Sequence, residues 1–323
     1  MKKKVWALMD DRRGSVSQAR GVLQALDAEQ FEIVEKKIIY TKSAALPNWL
    51  RGRTLLGINA ASKAELKEPY PDIVLSISRR TAPVARYIKK KFPSVRLVQL
   101  MHPGNAGLNE FSAVIVPEHD RHKKHTKNMH YIIGCPHQVT QTYLEEARAK
   151  WMPTFSDLPK PITAVIVGGA IKKKPFTAEN AADLAQAVQR LKERIGGSIL
   201  LTTSRRTGAQ AQKIIVDALQ EIPQYAYLWG DTRPNPYSGF LACADNIVVT
   251  GDSVSMCCEA TGSGKPIYIF CGHHWLTPKH QRFVDSLIAG QYATMLDGKT
   301  DECFKPRGIL NAAAEIADII KTL

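Results

Sequence analysis

Short apolar runs alternate with amphipathic stretches along most of the chain, and that alternation predicts the fold. In KVWALMDD, Val5 to Met9 are consecutively apolar, as in a strand buried on both faces. SVSQARGVLQAL follows, with Val16, Ala19, Val22, Leu23 and Leu26 at helical spacing. FEIVEKKII and PDIVLSIS read as strands, TAPVARYIKKKF as a helix, and VRLVQLMH and FSAVIVPEHD as further strands. Such alternation implies a parallel sheet with crossover helices.

From Ala149 to Pro161, AKWMPTFSDLPKP carries three prolines and loses periodicity, so it is the expected linker. The pattern then restarts with the strand ITAVIVGGA, the helix AENAADLAQAVQRLKERI, the strand GSILLTTS and the helix TGAQAQKIIVDAL. YAYLWG, NIVVTG and PIYIF read as strands, SVSMCCEA as a helix, and two helices close the chain. The expectation is an α/β protein of two Rossmann-like domains, 1–150 and 151–323, with the final helix packing back on the first. Sheets of this kind bind ligands at the carboxyl ends of their strands, which makes the cleft between the halves the expected site.

The 323 residues exceed what one core usually serves, and 44% hydrophobic with 23% charged residues is an ordinary globular composition. Charge changes the picture more. The net charge is +14, and residues 1–150 carry 26 Lys+Arg against 14 Asp+Glu, net +12, which leaves +2 for the rest. A basic half suits an anionic membrane surface or a polyanionic acceptor. No zinc-finger spacing or RNP motif is present, so nucleic acid is not expected as a partner. Six cysteines without C-x-x-C spacing read as buried thiols in a reducing compartment and predict no metal site. The apolar run after Lys4 is too short for a signal peptide, and no run approaches the ~20 residues of a membrane span. A cytoplasmic location is expected, with any contact at the inner face of the cytoplasmic membrane being peripheral.

The candidate chemistry concentrates in VVTGDSVSMCCEATGSGKP. Asp252, Ser253 or Ser255 can cap the helix after Gly251, whose free N–H groups and dipole favour phosphate. Ser255 and Glu259, with Met256 between them, stand i and i+4 on one face, about 6 Å apart along the axis. A diphosphate at the helix tip would therefore put a ribose near Glu259. An ordinary capped helix with a surface glutamate fits the same spacing. GSGKP is no phosphate loop, because Glu259 and Pro266 stand where a Gly and a Ser or Thr are needed; it reads as a helix stop at Gly262 or Gly264. Gly168 and Gly169 end another strand, where small residues permit close approach of a ligand. Thr203, Ser204 and Arg205 follow the next, with donors suited to a diphosphate or sugar.

In the first half, Asp10 ends the first strand and is the expected base toward an acceptor hydroxyl, with His102 or His119 in reserve. Arg12, Gly14 and Gln18 follow at the next helix start. PNWLRGRTLLG interleaves Trp49, Leu50, Leu55 and Leu56 with Arg51 and Arg53, a mixture suited to a membrane interface.

These residues resemble the mitochondrial-fission ELM-type family, which is similar in turn to GT-B glycosyltransferases. The matching pieces are Asp10, Arg12, Gly14 and Gln18 in DDRRGSVSQA, Pro117, His119 and Asp120 in VPEHD, and GCPHQVT. In the second half they are VGGA, TTSRRT, NPYSGFLACAD, VTGDSVSMCCEA and GKPIY. The resemblance implies a GT-B fold of two domains facing across a cleft, a nucleotide-diphosphate sugar held by the C-terminal one, a carboxylate at Glu259 on the ribose, and neither metal nor cofactor. The implied activity is sugar transfer to a glycan or lipid-linked acceptor of the cell envelope. A nucleotide-sugar 2-epimerase, or a non-catalytic scaffold that binds a protein, would share the architecture. Asp11 and Arg13 depart from the family's usual Gly and Pro, and AIKKKPF is more basic than its usual loop.

Overall fold

The computed structural model describes residues 2–122, 125–297 and 304–323. The chain divides into two compact units, residues 1–138 with 311–323, and residues 139–310.

The first unit runs β1 (Lys3–Met9), α1 (Arg13–Gln24), β2 (Phe31–Lys37), the short α2 (Asn48–Arg51) and α3 (Ala60–Ala64), β3 (Ile73–Ile77), α4 (Ser78–Lys91), β4 (Arg96–Leu100), β5 (Ala113–Pro117) and β6 (Met129–Ile132). The second contains α5 (Gln141–Phe155), β7 (Ile162–Val167), α6 (Ala178–Ile195), β8 (Ser198–Thr203), α7 (Ala209–Leu219), β9 (Gln224–Tyr227), α8 (Tyr237–Cys243), β10 (Asn246–Thr250), α9 (Val254–Thr261), β11 (Ile267–Phe270), α10 (Pro278–Ala289) and β12 (Thr294–Met295). The last helix, α11 (Ala312–Lys321), sends Ile316 and Ile320 into the first unit's core beside Val22 and Leu23 of α1.

Each unit holds one six-stranded parallel sheet. The order is β2-β1-β3-β4-β5-β6 in the first and β12-β11-β10-β7-β8-β9 in the second. The apolar runs behave as their composition requires: β3, β5, β7 and β8 are buried at every position. The strand order reverses between β1 and β3 in one unit and between β7 and β10 in the other, and the crevice beyond the strand ends at such a reversal is where open α/β sheets take ligands.

Much of the expected linker is helix. Residues 149–155 form the second half of α5, while 156–161 connect to β7. Leu144, Ala147, Trp151 and Phe155 form its buried stripe, and the Phe155 ring packs edge-on to Tyr225 and Phe240. That burial outweighs the hydrogen bond lost at Pro153. β6 and β12 are short strands that the periodicity did not reveal. Gly264, at φ +72°, is the left-handed residue after α9, whereas Gly262 stays helical.

Candidate functional site

In the second unit a cavity of about 540 Å³ opens at the carboxyl ends of β7, β8 and β9 and the start of α9. Thr203, Ser204, Arg205, Ser253, Ser255, Met256 and Glu259 line it. The helical spacing read from sequence thus brings Ser255, Met256 and Glu259 to one wall. Ser253 caps α9 by accepting a hydrogen bond from the Met256 N–H at 3.5 Å.

Glu259 does not stand alone. Tyr237, at the start of α8, donates its phenol to Glu259 Oε2 at 2.6 Å. Burial raises the Glu259 pKa above the usual carboxylate value, and the Tyr237 hydrogen bond opposes that shift. Burial and the adjacent carboxylate hold Tyr237 well above the normal phenol range, and Tyr143 of α5 is raised by the same two influences. Glu259 is therefore a fixed acceptor with one oxygen held by a phenol, a geometry suited to receiving hydroxyl donors on the other.

More of the lining comes from residues 228–235, between β9 and α8. Trp229 lines the cavity yet is 59% exposed, and its backbone N–H donates to Thr203 Oγ1 at 2.8 Å. Sequence reasoning missed Trp229, Tyr237 and Asn235. YLWG carried the aromatic, but its loop has no periodicity to show where the side chain goes.

Other expected ligand groups are engaged by the protein itself. The Thr203 hydroxyl donates to Gln212 Oε1 at 2.6 Å, and the Ser204 and Thr207 hydroxyls both donate to the Gly168 carbonyl. Asp252, 4% exposed, accepts from Thr250 Oγ1 at 2.7 Å, Gly169 N–H at 2.9 Å and Arg206 Nη1 at 2.6 Å. Burial still pushes its pKa up against those three partners. A Cβ on Gly168 would stand 2.2 Å from Asp252 Oδ1, and one on Gly169 would stand 2.1 Å from the Arg206 carbonyl carbon. The glycines thus allow close approach of the chain to itself. Arg205, exposed at the cavity's edge, is the cation facing it, whereas Arg206 belongs to the Asp252 knot.

In the first unit Asp10 stands at the strand-order reversal, whereas His102 follows β4 and His119 follows β5. Asp10 follows β1 and is buried; Arg80, from the first turn of α4, donates to Asp10 Oδ1 at 2.5 Å and also pairs with Asp11. That pairing holds Asp11 below the usual carboxylate range. The Arg80 guanidinium lies 4.1 Å from the Tyr40 ring centre. Arg80 was not foreseen; it takes Oδ1 of Asp10, while Oδ2 is buried without a hydrogen-bond partner among the described residues. Arg12 caps α1 without a side-chain bond, Gly14 has open space where a Cβ would stand, and Gln18 is buried one turn on. His102 Nδ1 accepts from the Gly104 N–H at 3.1 Å, so its neutral form carries the proton on Nε2, which is buried without a hydrogen-bond partner among the described residues. Its ring stacks on His122 at 3.8 Å, and burial followed by that neighbour lowers its pKa. His119 is 3% exposed in the 3-10 turn after β5, its Nε2 3.9 Å from Asp120. Among the described residues no group of three His, Cys, Asp or Glu could hold a metal ion. Cys135, Cys243, Cys257 and Cys258 are buried, Cys271 is half-buried, and Cys303 lies outside the described residues. No helix among the described residues is long and apolar enough to cross a membrane.

Comparison with known proteins adds the lineage. An uncharacterized protein of Rickettsia prowazekii (strain Madrid E) is 30% identical over 356 aligned positions, covering 98% of this chain and 97% of that one. The mitochondrial fission protein ELM1 of Arabidopsis thaliana is 30% identical over 250, covering 70% of this chain and 58% of its own length. Among solved structures, a UDP-GlcNAc 2-epimerase from Neisseria meningitidis superposes with a TM-score of 0.58 at 12% identity, covering 99% and 100% of the two chains. A glycosyltransferase from Rickettsia africae gives 0.53 at 13%, covering 99% and 88%. These likenesses establish the GT-B-type α/β fold. The family description for mitochondrial fission ELM1 matches residues 13–323, so the chain belongs to the mitochondrial fission ELM1 family.

Proposed function

We propose that the protein transfers a sugar from a nucleotide-diphosphate donor to an acceptor hydroxyl. The observation that carries this reading is the Glu259–Tyr237 pair in the same cavity wall as the amino-terminal turn of a capped helix. A diphosphate at the tip of α9 meets the free N–H groups beside Ser253 and Ser255, and Arg205 lines the same cavity. The ribose then reaches Glu259, whose remaining oxygen accepts from its hydroxyls, and the base lies against Trp229. During transfer the helix dipole and Arg205 stabilise charge developing on the leaving diphosphate. The Neisseria meningitidis epimerase, whose structure holds UDP-GlcNAc, shares this fold, which supports a nucleotide sugar as the partner class. An envelope or lipid-linked glycan is the proposed acceptor class, because the basic excess of residues 1–150 favours an anionic one.

Incubation with labelled nucleotide sugars and a cell-envelope extract separates this reading from its rivals. Label moving into an extractable glycoconjugate, with release of free nucleotide, is the expected result. Conversion of the donor sugar without an acceptor would indicate epimerisation instead. Neither reaction with any donor would leave a binding scaffold.

A further inference from the structure

The short helix α2 and its flanks invert the usual rule for side chains. Trp49 is 72% exposed and Leu50 51%, while their neighbours Asn48 and Arg51 are 7% and 0% exposed. Ile39, Leu46 and Leu56 add exposed apolar surface at 43%, 39% and 45%. Water selects the opposite arrangement, with the guanidinium out and the indole in.

The exposure does not come from a loose loop. Asn48 Nδ2 donates to the Arg79 and Pro103 carbonyls at 2.8 Å each, and Arg51 Nε donates to the Leu56 carbonyl at 3.0 Å. Arg86 holds the Gly52 carbonyl at 3.2 Å, and Thr54 holds the Arg51 carbonyl at 2.7 Å. These buried and part-buried bonds fix the turn that holds Trp49 and Leu50 outward.

The charge carried by the segment itself has one sign. Between Glu35 and Glu65 there is no acidic residue, whereas Lys36, Lys37, Lys42, Arg51, Arg53 and Lys63 all fall there. Lys42 is exposed on the preceding turn, and the exposed Arg79 reaches the Leu46 carbonyl. Arg53 is paired with Glu110 at 3.0 Å and Lys36 with Glu65 at 3.7 Å. Apolar and aromatic side chains on a rigid turn, rimmed by cations, match the boundary between acyl chains and anionic headgroups.

We propose that residues 39–56 are a docking surface for an anionic phospholipid bilayer, into which Trp49 and Leu50 insert while Lys42 and Arg79 meet lipid phosphates. The surface stands independently of the nucleotide-sugar reading, since none of its residues lines the cavity of the second unit.

Sedimentation with vesicles of phosphatidylcholine containing phosphatidylglycerol, and with phosphatidylcholine alone, tests it. The full chain binds the anionic vesicles preferentially, and high salt weakens the binding. The double variant Trp49→Ser/Leu50→Ser binds roughly tenfold more weakly with little change in melting temperature, because both side chains expose half or more of their surface to water in the free protein. Brominated lipid quenches tryptophan fluorescence in the wild type and loses most of that effect in Trp49→Phe. Failure to bind anionic vesicles, equal binding by the double variant, or equal preference for neutral vesicles would overturn the proposal. So would a double variant that changes only the mass of the free protein, since that would make the face a contact between copies.

Discussion

Asp252 and Glu259 flank one strand–helix junction, yet their carboxylates do different work. Asp252 is enclosed by Thr250, Gly169 and Arg206, and it ties the turn after β7 to the turn after β8. Removing it leaves the Gly169 N–H without its acceptor and Arg206 without its counter-charge. Asp252→Ala should therefore cost about 2–4 kcal/mol in denaturant unfolding, while leaving Glu259 in place. A loss within ordinary surface-mutation scatter would show that the knot is not structural. Glu259 has instead one oxygen on Tyr237 and a cavity in front of it. Its raised pKa has a definite sign: the ionised acceptor is lost, as pH falls, earlier than an ordinary carboxylate would be.

At the scale of elements, helix α6 shows how burial and packing trade against charge. Its Lys192 is 6% exposed and donates to the Pro161 carbonyl at 3.2 Å and to Thr163 Oγ1 at 3.3 Å, which joins the last turns of the helix to the start of β7. Burial lowers its pKa from 10.5 to about 8, with Asp245 partly opposing the shift. The unfolded chain therefore holds this proton over a range in which the folded chain has released it. Lys192 thus penalises folding fully below pH 8, and the penalty is relieved as pH rises toward the unfolded value. Comparing wild type with Lys192→Met from pH 7 to 10.5 should show the wild type gaining about 1–3 kcal/mol relative to the variant across that window. A pH-independent difference would contradict this account.

Elements were readable in sequence where their signal was local. The consecutive apolar residues of β1, β5 and β7 announced buried strands, and the Ser255–Glu259 spacing survived intact in one cavity wall. α5 was obscured because Pro153 reads as a breaker, although Leu144, Ala147, Trp151 and Phe155 already carried helical spacing. Arg80 and Tyr237 were out of reach for another reason. Their partners lie 70 and 22 residues away in sequence, and only the sheet order brings them together.

For the whole molecule, two parallel sheets each place polar residues at a strand-order reversal, and the second carries the open cavity that Glu259 lines. The central claim is that this cavity holds a nucleotide diphosphate with Glu259 on its ribose. Calorimetric titration of the wild type and Glu259→Ala with UDP, GDP, ADP and CMP tests it most directly. One diphosphate should bind the wild type, with affinity falling roughly tenfold or more in the variant, as expected for loss of a charge-assisted hydrogen bond. No binding at millimolar concentration, or equal binding by both proteins, would contradict the assignment.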